Sequence, residues 1–313
     1  MTTASRGPSS RPLRQLSLYV LIPFCSSRCR YCNFYFETGW SERILVRTLD
    51  TILEESRMLR GQLFAGRRPS VHTVYFGGGT PSVIPPALLD RFLGQFRNIW
   101  GLGAGAAAPA GGTRPRGPAT PTAPAPDASR PAEFAFEANP ESLDRDLLTV
   151  LARHGVDRLS LGVQSFASDR LQTLGRRATA DDVHRALETI SAARESGLWT
   201  GRLNLDLICG IPGQTMDDVA SDIRSALAWR PDHISLYTLT EEPGTPLAQL
   251  YAAGRRDLPD NAAVEAQAEL AASLLEAAGL SNYEISNFAH PGCESRHNLA
   301  YWELAPYAGL GPG

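Results

Sequence analysis

Short apolar runs rich in β-branched and aromatic residues recur along the chain, each followed by a stretch in helical period. The runs are LYVLI at 18–22, TVYFG at 73–77, EFAFEA at 133–138, RLSLGV at 158–163, RLNLDLI at 202–208 and HISLYTL at 233–239. Helical patterns fill the intervals, near 41–60, 86–98, 143–154, 180–196, 215–228 and 260–279. Strand alternating with helix in this way predicts an α/β fold with a parallel sheet and crossover helices. Runs this apolar are expected to be buried on both faces. The sheet can close as an open doubly wound sheet or as a barrel, and both collect ligands at the carboxyl ends of their strands. A further run, SNYEISNFA at 281–289, predicts an edge strand beyond the main sheet.

Three stretches break the rhythm. Residues 1–16 are polar and basic, without the apolar stretch of a secretory signal, and read as a disordered tail. Residues 101–132 are almost all Ala, Pro, Gly and Thr, and bury too little apolar surface to offset their ordering entropy. They read as a low-complexity disordered insertion, which a loop tolerates because closure entropy grows slowly with length. At 307–313, YAGLGPG reads as a Gly-rich loop with no closing element.

Composition narrows the function classes. The chain has 313 residues, 43% of them hydrophobic, enough for a sizeable core. A net charge of −3 argues against a nucleic-acid partner. All 30 basic residues are arginine, so Schiff-base chemistry and a P-loop lysine are excluded. No apolar run reaches the roughly 18 residues of a membrane span. Five cysteines, three of them clustered, argue against a disulfide scaffold and for a reducing, cytoplasmic setting.

The cluster is Cys25, Cys29 and Cys32, spaced C-x3-C-x2-C directly after the first strand. Three thiolates on one loop point to a shared centre. A structural zinc site takes a fourth protein ligand, which a distant His or Cys would have to supply. An iron–sulfur cluster takes one thiolate per iron, so three cysteines on a four-iron cluster leave one iron free for an outside molecule. Cys209 and Cys293 stand alone and read as small buried residues.

Other chemistry sits near strand ends. GGGTP, 77–81, permits close backbone approach to a ligand, although a plain turn is the commoner meaning of such a run. Glu137, Gln164 and Asp206 suit hydroxyl recognition, and each reads equally well as a cap or turn residue. Arg176 can meet an anion or lie solvated on the surface. His297, with Tyr301 and Trp302 beside it, can ligate heme iron and stack on a porphyrin, whereas a lone histidine is more often structural.

The ordered motifs YVLIPFC, YFGGGTPS, FEANPES, RLSLGVQSF, LGRR, NLDLICGIPGQT, HISLYTLTEEPGTP and SNYEISNFAHPGCESRHNLAYW resemble the radical S-adenosylmethionine (SAM) oxygen-independent coproporphyrinogen III oxidase family. The resemblance runs from about residue 17 to 313 outside the insertion, and it is nearest to the family's heme-chaperone branch. It implies a partial (β/α)6 TIM-type barrel at 17–245, then at 246–313 the start of a C-terminal region whose accessory domain is incomplete. It implies a [4Fe-4S] cluster on Cys25, Cys29 and Cys32, with SAM chelating the open iron and yielding a 5′-deoxyadenosyl radical. Gly78, Gly79 and Thr80 would contact the methionyl end of SAM. Tyr19, Tyr31, Glu137, Gln164, Asp206 and Thr240 would surround it, and Arg176 would pair with its carboxylate. His297, Tyr301 and Trp302 match a heme motif, HNxxYW. The resemblance further implies a heme-acceptor protein and an electron donor as partners.

The porphyrinogen oxidases carry a further cysteine shortly after the third, where this chain has Asn33, Phe34 and Tyr35. That favours a heme chaperone over oxidative decarboxylation of coproporphyrinogen. Leu21 and Ala178 stand where relatives usually carry histidines.

Overall fold

The computed structural model describes residues 15–67, 70–103, 130–254 and 260–312. The tail expected at 1–16 and the insertion expected at 101–132 therefore lie outside the described residues, apart from their edges.

Strands β1 (Leu16–Ile22), β2 (Val71–Gly78), β3 (Glu133–Ala138), β4 (Arg158–Gln164), β5 (Arg202–Cys209) and β6 (His233–Thr238) form as the pattern predicts. Between and after them come α1 (Glu42–Phe64), α2 (Pro86–Trp100), α3 (Arg145–Arg153), α4 (Ser168–Leu174), α5 (Ala180–Glu195), α6 (Met216–Ala228), α7 (Pro246–Ala252) and α8 (Asn261–Ala277). Local chemistry sets the boundaries. Thr179 with Asp182 and Thr215 with Asp218 build capping boxes that start α5 and α6. Gly101 and Gly175 take the left-handed conformation that ends α2 and α4.

The strands form one open, mixed sheet in the order β7-β8-β6-β5-β4-β3-β2-β1-β9. Neighbours from β1 to β6 pair in parallel, the topology of a partial barrel. The expected edge element is a hairpin of two short strands, β7 (Ser281–Asn282) and β8 (Asn287–Ala289), with β8 antiparallel to β6. After it comes α9 (Arg296–Trp302). The loop expected at 307–313 is corrected. Tyr307–Leu310 is a strand, β9, which pairs in parallel with β1, Ser17 opposite Tyr307 and Val20 opposite Leu310. Four residues with a glycine among them carry little strand propensity, and it is β1's free edge that makes them one.

The strands are largely buried on both faces, as expected, but only one of those faces is apolar. Leu18, Val20, Val74, Phe76, Phe134, Phe136, Leu159, Leu161, Leu203, Leu205 and Ile234 point outward under the helices and form the core. The alternate residues point inward and are mostly polar: Ser17 and Tyr19; Thr73 and Tyr75; Glu133 and Glu137; Arg158, Ser160 and Gln164; Asn204 and Asp206; His233 and Ser235. Side chains alternate sides along a strand, so a strict two-residue period writes a polar lumen and an apolar jacket into one sequence.

Helix α9 plugs the lumen at the amino ends of the strands. Glu133 and Arg158, the first residues of β3 and β4, form an ion pair at 2.8 Å with side chains 1% and 2% exposed. Glu133 also accepts from Ser295 Oγ at 3.2 Å and from the backbone N–H groups of Arg296 (3.2 Å) and His297 (3.1 Å). Arg158 Nη2 donates to the carbonyls of Cys293 (2.7 Å) and Glu294 (2.9 Å). Burial alone would raise the Glu133 carboxyl, but Arg158 and these donors hold it below its ordinary value. Removing one partner of such a pair costs about 3–5 kcal/mol, because the other is left buried and uncompensated. Glu133→Gln should therefore lower the denaturant-unfolding free energy by an amount in that range. A loss of well under about 1 kcal/mol would show that the pair does not anchor α9.

Candidate cluster and cosubstrate site

The cysteine loop leaves the carboxyl end of β1 and is fastened on several sides. Gly79 N–H donates to Ile22 O at 2.9 Å and Thr80 N–H to Phe24 O at 2.7 Å. A Cβ on Gly79 would stand 2.7–2.8 Å from the Ile22 and Phe24 backbone, so only glycine lets the β2 turn approach the loop this closely. Trp40 Nε1 donates to Cys25 O at 3.1 Å. Arg30 N–H donates to Leu174 O at 2.9 Å, and its guanidinium to Gln172 O at the end of α4, also at 2.9 Å.

Each of the three half-buried thiols has a donor beside it. Cys25 Sγ lies 3.3 Å from Thr80 Oγ1, Arg176 Nη1 donates to Cys29 Sγ at 3.6 Å, and Cys32 receives the backbone N–H of Phe34. Donors favour the thiolate, the form that binds iron. In the protonated state burial pushes Cys25 up to about 11 and raises Cys32, so metal loading has to release protons here. Among the described residues, no three His, Cys, Asp or Glu side chains gather as ligands of a single ion. A site of the zinc kind is thus not formed, whereas a cluster takes one thiolate per iron. The donor set fits a cluster.

Within the lumen, Arg176 is anything but a free surface charge. Its Nη2 donates to Gly162 O at 2.6 Å and Asn139 Oδ1 at 3.0 Å. Tyr75, which sequence reasoning missed, donates to Glu137 Oε1 at 2.6 Å and stacks on Tyr19 at 5.8 Å. Its signal was the alternation Thr73, Tyr75, Gly77 on one strand. Asp206 accepts from Asn204 Nδ2 at 2.8 Å. Burial raises Glu137 to about 7, with the nearby Asp206 charge adding to the rise and the Tyr75 bond opposing it. Burial likewise raises Asp206 to about 6 against its bonds from Asn204 and Ser235. Tyr31 is near enough to Arg176, Cys29, Cys32 and Asp206 to feel their charges. Gln164 is left-handed at φ 66° beside a register shift in the β4–β5 ladder. That conformation costs of order 1–3 kcal/mol and marks a constrained position. Gly78, at φ 105°, lies against Leu21, and Ala178 is buried.

Not every expected residue joins this group. Thr240 is exposed beyond β6, its hydroxyl on the Thr238 carbonyl at 3.4 Å. The heme-motif residues sit at the opposite end of the lumen. His297 is 1% exposed, with Nδ1 2.7 Å from Thr73 Oγ1 and Nε2 3.1 Å from Tyr301 Oη. Its ring lies 5.0 Å from Tyr75 and 6.2 Å from Tyr19, and burial lowers its pKa to about 4. Trp302 is exposed and bonds Glu284 through its indole N–H.

A partial parallel barrel with donor-matched cysteines after its first strand and buried carboxylates in its lumen is built to seat an iron–sulfur cluster beside a small polar cosubstrate. Comparison with known proteins agrees. Residues 19–226 match the radical SAM superfamily model. The chain is 35% identical over 301 residues to the heme chaperone HemW of Bacillus subtilis, covering 95% of this chain and 69% of that protein. It is 34% identical to HemW of Escherichia coli, covering 96% and 70%. Among solved structures it is similar to coproporphyrinogen III oxidase (HemN) of Escherichia coli, with a TM-score of 0.73 and 25% identity, covering 97% of this chain but 64% of that one. The chain belongs to the radical SAM oxygen-independent coproporphyrinogen III oxidase-like family, on its heme-chaperone, HemW-like branch. A radical SAM domain implies SAM and a [4Fe-4S] cluster.

The raised Glu137 carboxyl has a measurable consequence. Without ligand, the folded protein keeps a proton that the unfolded chain releases above about 4.5. The stability this contributes is full below the unfolded value and is lost as pH rises through about 7. Glu137→Gln abolishes the titration and still accepts from Tyr75. Relative to wild type, the ligand-free variant should gain on the order of 1–2 kcal/mol between about pH 5 and about pH 8, after allowance for solvent screening. A stability difference that stays constant between those pH values would refute the assignment.

Proposed function

We propose that this protein is a radical SAM heme chaperone: it binds heme and passes it to an acceptor protein in a reducing, cytoplasmic setting. Cys25, Cys29 and Cys32 hold the cluster. Gly78, Gly79 and Thr80 receive the methionyl end of SAM, Arg176 its carboxylate, and Tyr19, Tyr31, Glu137, Gln164 and Asp206 surround the rest. When bound, the cluster supplies an electron at low potential and an open iron for SAM. This chain's residues orient SAM, screen it from water, and hold a proton at Glu137.

The observation that carries the heme reading is the aromatic surface around α9. Trp302 is 57% and Tyr307 60% exposed, and the Tyr301 ring meets Tyr307 edge-on at 4.8 Å. Large aromatics grouped in water mark a binding surface, and flat rings suit a porphyrin face. His297 stands behind them, neutral at physiological pH, its Nε2 3.1 Å from the Tyr301 hydroxyl. The names of the HemW relatives support the same reading. The likeness to HemN supports a second one, oxidative decarboxylation of coproporphyrinogen.

Heme titration of the anaerobically reconstituted chain separates the two. A Soret shift is expected, weakened severalfold in binding by Trp302→Ala and by His297→Ala. Trp302 is exposed, so its loss tests binding without disturbing the core. No shift at all removes the chaperone reading, and turnover of coproporphyrinogen to protoporphyrinogen would replace it with the oxidase.

A further inference from the structure

Asn139, just past β3, touches neither sulfur nor lumen carboxylate, yet it connects the donors of two cysteines. Its Oδ1 accepts from Arg176 Nη2 at 3.0 Å, and Arg176 Nη1 reaches Cys29 Sγ at 3.6 Å. Its Nδ2 donates to Thr80 Oγ1 at 3.2 Å, and Thr80 Oγ1 lies 3.3 Å from Cys25 Sγ. The directions of the two Asn139 bonds are fixed by chemistry, and that between Thr80 and Cys25 becomes fixed once the thiol is a thiolate. A guanidinium only donates, so the amide must turn its oxygen toward Arg176 and its NH2 toward Thr80. Thr80 then accepts from Asn139 and keeps its own proton for Cys25. An iron-bound thiolate can only accept, so this polarity is the one that suits a loaded site.

The surroundings hold the amide in place. Asn139 N–H donates to Ser82 Oγ at 3.0 Å, and Ser142 Oγ donates to Asn139 O at 3.1 Å. A second, longer contact runs from Nδ2 to Glu141 Oε1 at 3.5 Å. Gly162 clears the space: a Cβ there would stand 3.0 Å from Asn139 Oδ1 and 3.4 Å from Arg176 Nη2.

We infer that Asn139 is a positioning residue that aligns the hydroxyl donor of Cys25 and the guanidinium donor of Cys29, and so sets the reduction potential of the bound cluster. The inference rests on the cluster assignment proposed above. Hydrogen bonds to cluster sulfurs stabilise the reduced, more negative state and raise the potential.

The test uses the full chain reconstituted with iron and sulfide under anaerobic conditions. Wild type, Asn139→Ala, Thr80→Val and the double variant are compared by iron and sulfide content and by EPR-monitored redox titration. Both single variants are expected to retain cluster at a lower midpoint potential. The Asn139→Ala shift should be smaller in the Thr80→Val background, because the relay to Cys25 is already cut there. A residue that merely supported the fold would give additive shifts or none, and either result overturns the inference. Should Asn139→Ala fail to fold, the isosteric Asn139→Asp, which keeps the Arg176 bond and loses the donor to Thr80, takes its place in the same cycle. A wild-type chain that takes up no iron and sulfide overturns both the cluster assignment and this inference. Unshifted or additive potentials in loaded chains overturn this inference alone.

Discussion

A carboxylate and a guanidinium sealed from water at the amino end of the sheet organise this molecule. Glu133 and Arg158 would be costly to bury apart, and together they are tolerable because each takes further partners, three donors on Glu133 and two carbonyls on Arg158 Nη2, although Arg158 Nη1 stays buried and unpartnered. Those partners are the chain entering α9 and the helix's first N–H groups. The ion pair therefore fixes where α9 lies, and α9 fixes His297 against Thr73, Tyr75 and Tyr19. Tyr75 in turn reaches Glu137 at the other end of the lumen.

A second line of hydrogen bonds runs alongside. Asp206 is bonded by Asn204, Asn204 Oδ1 lies 2.7 Å from His233 Nδ1, and His233 Nε2 lies 2.8 Å from Tyr283 Oη, which accepts from Ser295 N–H at 3.1 Å. Burial pushes His233 well below its ordinary pKa, so it serves as a neutral bridge with one nitrogen donating and one accepting. The cysteine end and the α9 end thus share one polar framework. That is the physical content of a lumen-facing polar period: most inward side chains find their partners among each other, with the buried Ser17 hydroxyl an exception.

Much of this was legible. EFAFEA, RLSLGV, RLNLDLI and HISLYTL place β3 to β6 to within a residue, and LYVLI and TVYFG place β1 and β2 to within two, because β-branched and aromatic runs between helical patterns have few other readings. The same strings spelled the two faces by strict alternation, and the burial they suggested on both sides holds although the inward face is polar. The cysteine spacing and the glycine turn after β2 marked two loops that the structure brings together. What stayed hidden depended on distant pairing. Glu133 and Arg158 look like ordinary charges at strand starts until each is seen to neutralise the other. Arg176 looked solvated because Asn139, Gly162 and Cys29 are remote in sequence. The seven-residue helices α4, α7 and α9 are too short for periodicity to show them, and β9 exists only through its partner.

The pairing of β9 with β1 sets a timetable for biosynthesis. β1 carries the cysteine loop and emerges from the ribosome well before β9, so its outer edge is covered only when Tyr307–Leu310 arrives. At about 5–20 residues per second that wait is on the order of tens of seconds. Throughout it, the nascent chain displays an unpaired strand rimmed by reactive thiols, the kind of edge on which chains aggregate. Metal loading is therefore best completed only after β9 has closed the edge of β1.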